Sequence, residues 1–491
     1  MRQHSLSLLQ LVLLLLPPPS MTFTVIMTDS NVPSTLVDTP QTGFSIAHDR
    51  ARTDSHEQKA VYEIMKATGN SWATSIPDVC RGRWHGIECM PDKDDVYHIV
   101  SLSFGALSDD TAFPTCDQST SFISPWLTKL PHIRSLFFYQ CFTRNPQPIP
   151  PFLAHLGPTL QSLVLRNNGH VGPIPTQLGN LTLLRVLDLH SNNLTSSIPQ
   201  SFTNLAHLRS LDLSSNRLTG RIPDLPTSTL NVLDLSQNLL QGSIPASLGN
   251  CPSLIKMDLS RNYLTGPIPN SFDGLRSLML LDLSYNRLSG PFPVSLGSLT
   301  SLRALILKVN SMQSTVIPNA VFSPLKNLMI LILSDMGLHG TIPESIGCLP
   351  SLRVLHLDRN DLNGSIPQSF RHSGNLNELR VNDNRLVGPI PFGREMLWKM
   401  GRKLKLANNS GLCYDGCSSN GRDEGVDSSF VLGIACCESQ TAPVGTTTKH
   451  LSSIDHQEPE HISPSVSGAS ALNYMQLLPS TAILLMGLLL L

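Results

Sequence analysis

The sequence predicts an α/β solenoid, a chain wound into stacked coils with a disulfide-bonded cap at the N-terminal end. Three observations carry that prediction. The phrase Leu-x-x-Leu-x-Leu-x-x-Asn-x-Leu returns between Leu160 and Pro391, beginning at Leu160, Leu184, Leu208, Leu230, Leu254, Leu278, Leu302, Leu328, Leu352 and Leu376. Most steps are 24 residues, one is 22 and one is 26, and Gly-x-Ile-Pro follows closely on the phrase. Ahead of the array, Cys80 and Cys89 stand with eight residues between them, a spacing that suits a local disulfide.

A period in the twenties with this consensus is a leucine-rich repeat. In the third copy Leu208, Leu211, Leu213 and Leu218 point one way, while Arg209, Ser210, Asp212, Ser214 and Ser215 point the other. Leu211-Asp212-Leu213 alternates as a strand does. Asn216 sits where the chain leaves the strand, and its amide can satisfy backbone groups on both sides of the bend. Gly220 permits the second turn and Ile222-Pro223 closes it. One such coil buries too little apolar surface to offset its ordering entropy, so the coils stack and need special ends.

Taken in order, residues 1–20 read as a secretory signal, with Arg2 and His4 ahead of the apolar run Leu8–Leu16. That route leads to an oxidising compartment where the ten cysteines can pair. Residues 21–53 form an extended polar lead-in. The cap spans 54–98: Asp54 to Gln58 offer capping side chains, and Ala60, Val61, Ile64, Met65 and Thr68 follow at helical spacing until Gly69 stops the helix. Trp84 can plug the first coil. A metal reading of Cys80 and Cys89 needs more ligands nearby than His85.

Residues 99–159 hold two degraded repeats, Ile99-x-x-Leu102-x-Phe104 and Ile133-x-x-Leu136-x-Phe138-x-x-Cys141, around the insertion 109–124. Cys116 in that insertion is the natural partner of Cys141. The regular repeats occupy 160–396, and the lengthened copy at Leu302 is expected to bulge a loop on its flank. A last half-repeat and cap fill 397–440, where Cys413 pairs with Cys417, Cys436 or Cys437. Four thiols allow three pairings and the sequence does not choose. Cys251 and Cys348, each shortly before a first leucine, read as buried free thiols, and Lys399, Arg402, Lys403 and Lys405 as a solvated face.

Residues 441–468 are a Ser/Thr/Pro/His-rich linker. Residues 469–491 form a hydrophobic tail that anchors the chain to the membrane. Small residues at Ser467–Ala469, a polar spacer and an apolar end fit a lipid-anchor signal, with a single span as the alternative. Asn180, Asn193, Asn363 and Asn408 each begin a glycosylation triplet.

With 35 basic and 36 acidic residues, the chain has no general pull toward nucleic acid. No Walker loop, Gly-x-Ser-x-Gly elbow, His-Glu-x-x-His or kinase signature occurs, and no cofactor or metal is expected. Asp188, Asp212, Asp234, Asp258 and Asp282 recur at one repeat position on the outward side of the strand. An acid–base pair among them is conceivable chemistry, but the plainer reading is that Leu-Asp-Leu is the commonest phrase in such repeats, with attraction of a basic partner as the further reading. The column then turns apolar with Ile306 and Ile332, flanked by Leu280, Ala304, Ile330 and Val309, before His356 and Arg380. This patch reads either as a protein or peptide contact or as local packing under the lengthened connection. On the contact reading, Ile306→Glu with Ile332→Glu weakens partner binding and leaves secretion normal.

The Leu-x-Gly-x-Ile-Pro phrase, the Cys80–Cys89 cap and the Leu412-Cys413 ending resemble plant extracellular leucine-rich-repeat receptors. More narrowly, the runs Pro40–Phe44, Pro77–Asp92 and Val100–Cys116 resemble receptor-like proteins of that family without a kinase domain, over about residues 22–413. The resemblance implies a co-receptor, not an enzyme, at the plasma membrane with its repeats outside the cell. It implies association with ERECTA-family receptor kinases, recognition of secreted cysteine-rich epidermal patterning peptides and control of stomatal spacing. The rival reading is a secreted inhibitor of a cell-wall-degrading enzyme, which would have no use for Leu477–Leu491.

Overall fold

The computed structural model describes residues 52–415 and 435–437, apart from 83–84, 106–112, 227, 313–314 and 410. The chain divides into two units, residues 45–438 and the pair of ends Met1–Phe44 and Ser439–Leu491. The described residues all belong to the first. The signal segment, Trp84, Cys417, the linker and the apolar tail lie outside them.

The leucine phrase builds one long sheet, described here in 15 strands. It begins with β1 (Arg52–Thr53), which pairs parallel with β3 (Val96–Phe104) and so joins the lead-in to the cap. A hairpin partner, β2 (Ile87–Pro91), runs antiparallel to β3, and β4 (Ser135–Phe138) continues the parallel order. From there each coil adds one three-residue strand in register, so Leu163, Leu187, Leu211, Leu233 and Met257 stack. These side chains are fully buried and form one continuous core with phenylalanines such as Phe202 and Phe272.

Consecutive coils are tied by the asparagine. In its coil, the Asn216 amide donates to the carbonyls of Leu189, Leu213 and Ser214 at 2.9, 3.1 and 3.2 Å, and its oxygen accepts the Leu194 N–H at 3.1 Å. Asn262, Asn286 and Asn384 repeat the pattern. The residue before each ladder asparagine takes φ near +55°, without a glycine at any coil: Ser191, Ser215, Gln237, Arg261, Tyr285, Val309 and Arg359 among them. The ladder has one gap. In the copy beginning at Leu328 the asparagine is replaced by Met336, which is buried and gives its N–H to Asn360 Oδ1 at 3.1 Å. The gap falls next to the lengthened 302–328 connection, where the flank carries a helical turn, Asn319–Phe322. Within this connection, residues 313–314 lie outside the described residues.

Helix α1 (Ser55–Ala67) begins where Asp54 accepts the N–H groups of His56 and Glu57, and it buries Ala60, Val61, Ile64 and Met65 against the first coils. Gly69 ends it at φ +83°, with Asp117 so close that a Cβ would collide. Disulfides join Cys80 to Cys89, Cys116 to Cys141 and Cys413 to Cys437. Cys251 is buried, but Cys348 is exposed, contrary to expectation. It caps the turn Glu344–Gly347, where the side chain projects from the coil's flank and not into the leucine core.

Two stability outcomes follow. Asn262→Asp turns a donor toward the carbonyls of Leu235, Leu259 and Ser260 into a repelling oxygen. It should cost about 3 kcal/mol in urea unfolding, one to three per orphaned buried group. Val309 is β-branched and held at φ +57°, a conformation that costs side-chain-bearing residues about 1–2 kcal/mol. Val309→Asn should therefore raise the urea midpoint, by about 1 kcal/mol of stability.

Candidate protein-binding face

In each coil the residue between the two strand leucines turns to the far face of the sheet, opposite the core. In-register pairing aligns these residues as Asp188, Asp212, Asp234, Asp258, Asp282, Ile306, Ile332, His356, Arg380 and Lys405. The column runs from acidic through apolar to basic.

The five aspartates are less free than their sequence position suggests. Each accepts the backbone N–H two residues on, at His190, Ser214, Ser236, Ser260 and Ser284, over 2.9, 2.9, 3.1, 3.0 and 2.9 Å. The strand exit leaves that N–H without a ladder partner, and a short carboxylate reaches it. Asp234 is buried outright, with Lys256 Nζ 2.7 Å from its other oxygen, and the remaining four are half-buried. They stand on the outward side of the strand, but none of them is fully exposed.

The apolar stretch is closed to solvent, as the packing reading of it requires. Ile306, Ile330 and Ile332 are 3%, 3% and 0% exposed, and Ala304 and Leu280 are buried too. None of the five belongs to the leucine core cluster. Ile306 is stacked between Asp282 and Ile332, and Ile330 between Ala304 and Val354, which closes their sides. Val309 is half-buried at its left-handed position. A charge at Ile306 or Ile332 would be desolvated, so the expectation that Glu there spares folding and secretion is withdrawn.

Beyond the isoleucines lies a group the sequence did not single out. Glu378 is buried, with Oε1 2.9 Å from His356 Nε2 and 2.7 Å from Arg380 Nη2. Burial opposes its ionisation, yet His356 and Arg380 outweigh burial and hold the carboxyl below its usual range. Arg380 and Lys405 then open onto a hollow of about 360 Å³ lined also by Asp358, Arg359, Asn382 and Asn408. Lys405, read as part of a plain solvated face, lines this hollow, whereas Lys399 donates to the Gly374 carbonyl. Glu378 gave no signal because it stands two residues before the column, on the same face of the strand, where neighbouring coils carry Ile330 and Val354. The four glycosylation asparagines are all exposed, and Asn408 Nδ2 donates to Asp383 at 2.5 Å.

Two family profiles match the chain, Leucine rich repeat over residues 158–218 and 256–312 and Leucine Rich Repeat over 229–251 and 351–373. Over 176 residues, 36% of the chain, it is 64% identical to Protein TOO MANY MOUTHS of Arabidopsis thaliana. Receptor like protein 29 of the same plant is 36% identical over 139 residues, 27% of the chain. These matches span 36% and 29% of the two relatives' lengths. Among solved structures, PEPR1-AtPEP1 superposes with a TM-score of 0.57 at 28% identity, covering 73% of this chain and 49% of that one. A TDR receptor does so at 0.54 and 26%, covering 65% and 60%. The chain folds as a plant-type leucine-rich-repeat solenoid and, over the matched segments, is similar to these plant receptor proteins.

The acidic ladder couples stability to pH. Burial first, then the charges of Asp234 and Asp188, push Asp212 up to about 7, and burial with Asp234 and Asp282 raises Asp258. The folded chain therefore holds protons that the unfolded chain has released, its aspartates titrating near 3.9. Stability tied to these groups grows as pH falls from about 7 toward 4 and is lost as pH rises through 7. Asp212→Asn keeps an acceptor for the Ser214 N–H and removes the charge. Its melting temperature should gain on the wild type by about 2–4 °C between pH 5.5 and pH 8, and parallel melting curves across that range would refute the coupling.

Proposed function

We propose that this leucine-rich-repeat protein of plant receptor-like type is a non-enzymatic co-receptor that senses a secreted peptide together with a membrane-spanning receptor kinase. The single observation that carries the reading is the far-face column, which changes from five carboxylates to His356, Arg380 and Lys405 along consecutive coils. A graded column of this kind gives an extended partner both a direction and a register, since each coil offers it a different charge. The rigid scaffold loses little entropy when it is occupied. Asp188, Asp212, Asp258 and Asp282 would attract the basic part of a partner, and the Arg380–Lys405 hollow an acidic side chain or terminal carboxylate. Ile306, Val309, Ile330 and Ile332 shape the floor between them.

The finer reading rests on the resemblance to TOO MANY MOUTHS. It names ERECTA-family receptor kinase ectodomains and secreted cysteine-rich epidermal patterning peptides as partners, and stomatal spacing as the outcome. Attachment of the repeats to the plasma membrane would fall to residues 469–491. Among the described residues no helix is long and apolar enough to cross a membrane.

The test is titration of the purified full-length protein with receptor-kinase ectodomains, with and without cysteine-rich peptides. Arg380→Glu with Lys405→Glu should weaken binding at least about tenfold, or 1.4 kcal/mol. Because Arg380 also pairs with the buried Glu378, the single variant Lys405→Glu, whose side chain is exposed, should weaken binding in the same direction with the melting temperature little changed. Equal affinity in the double variant would remove the hollow from the binding face.

A further inference from the structure

A cluster at the N-terminal cap lies outside everything assigned so far. Glu57, on the first turn of α1, is 2% exposed, and a buried carboxylate needs strong compensation. Its Oε2 accepts the Ile99 N–H at 2.8 Å, which fixes the rotamer. Its Oε1 faces two imidazoles at once, His98 Nδ1 at 2.7 Å and His132 Nδ1 at 3.2 Å. The two rings pack with centroids 4.0 Å apart. On its other side, His98 Nε2 lies 3.3 Å from Asp92 Oδ2.

We propose that Glu57, His98 and His132 form a binding site for a zinc-type divalent transition metal that staples helix α1, strand β3 and the following coil together. Each residue offers one ligand atom, and these atoms all lie within 4.8 Å of one another. A tetrahedral ion with bonds of about 2.0–2.2 Å holds its ligands roughly 3.4 Å apart, so small shifts complete the set. Two imidazoles and one carboxylate form a donor set that zinc takes, with a fourth position left for water. That position faces solvent on the side of His132, whose side chain is 49% exposed and gives an entry path.

The surrounding shell fits the same chemistry. Asp92 is placed to receive the Nε2 proton of His98, the carboxylate–histidine arrangement that orients metal-bound imidazoles. The Ile99 N–H does the equivalent for Glu57. The charges of Glu57 and Asp92 together balance a divalent ion. Without metal, burial disfavours the His98 imidazolium, but Glu57 and Asp92 outweigh it and raise its pKa. A metal ion replaces the Nδ1 protons, so binding releases protons and weakens as pH falls. The second cluster of comparable composition, Cys413, Asp415 and Cys437, has its two thiols joined in a disulfide.

The experiment uses the full-length secreted protein, stripped with chelator and reloaded. Zinc chloride should raise the melting temperature by about 2–4 °C, magnesium should not, and cobalt should give the visible absorption of a low-coordinate site. His132→Ala should melt like the stripped wild type and show neither response, and Asp92→Asn should bind cobalt about tenfold more weakly. If stripped and zinc-loaded wild type melt alike, or His132→Ala responds as the wild type does, the cluster is only a hydrogen-bonded ion pair and the proposal falls.

Discussion

The amide of the repeat asparagine is the interaction on which the rest of the structure depends. Every coil must turn out of its strand with buried carbonyls pointing at no strand partner, and a buried unpaired carbonyl is costly. One side chain with two donors and an acceptor serves the coil before it and its own at once, as Asn216 does for Leu189, Leu213 and Leu194. Because the partners belong to neighbouring coils, the ladder fixes their register, and the register aligns the far-face residues. A left-handed residue ahead of each asparagine is the local strain this arrangement imposes, most sharply at Val309.

The far-face column takes its character from that alignment. Parallel, in-register strands bring like residues of successive coils side by side, so one acidic residue per repeat becomes a ladder of carboxylates. The same geometry closes the sides of Ile306 and Ile332 and produces a buried apolar stretch outside the leucine core. At the far end it sets His356 and Arg380 around Glu378 and leaves Lys405 over a hollow. The lone ladder gap at Met336 lies within this apolar segment, where the coil spacing is also irregular.

Much of the fold was legible because periodicity is a local property. The core leucines, helix α1 with its Asp54 cap, and the asparagine's role at the bend follow from residue type and spacing, and the structure places each accordingly. Exposure was not legible. Alternation says which face a side chain takes but not what neighbouring coils do to its sides, so contact and local packing both stayed open at the isoleucines. Cys348 shows the reverse error: Cys251 stands three residues before Leu254, at the core position that Leu349 fills ahead of Leu352, while Cys348 stands one residue earlier and is exposed.

The sequence by itself determined that this chain winds into leucine-rich coils, where those coils begin, which residues fill them and that no familiar catalytic motif interrupts them, since each of these is written in short-range pattern. Only the tertiary structure decided what meets across coils. It chose Cys437 as the partner of Cys413, tied the five aspartates to strand exits, and brought Glu57, His98 and His132 from distant positions onto one carboxylate oxygen. Such contacts depend on distance in space between residues up to 75 positions apart, and spacing along the chain does not encode that distance.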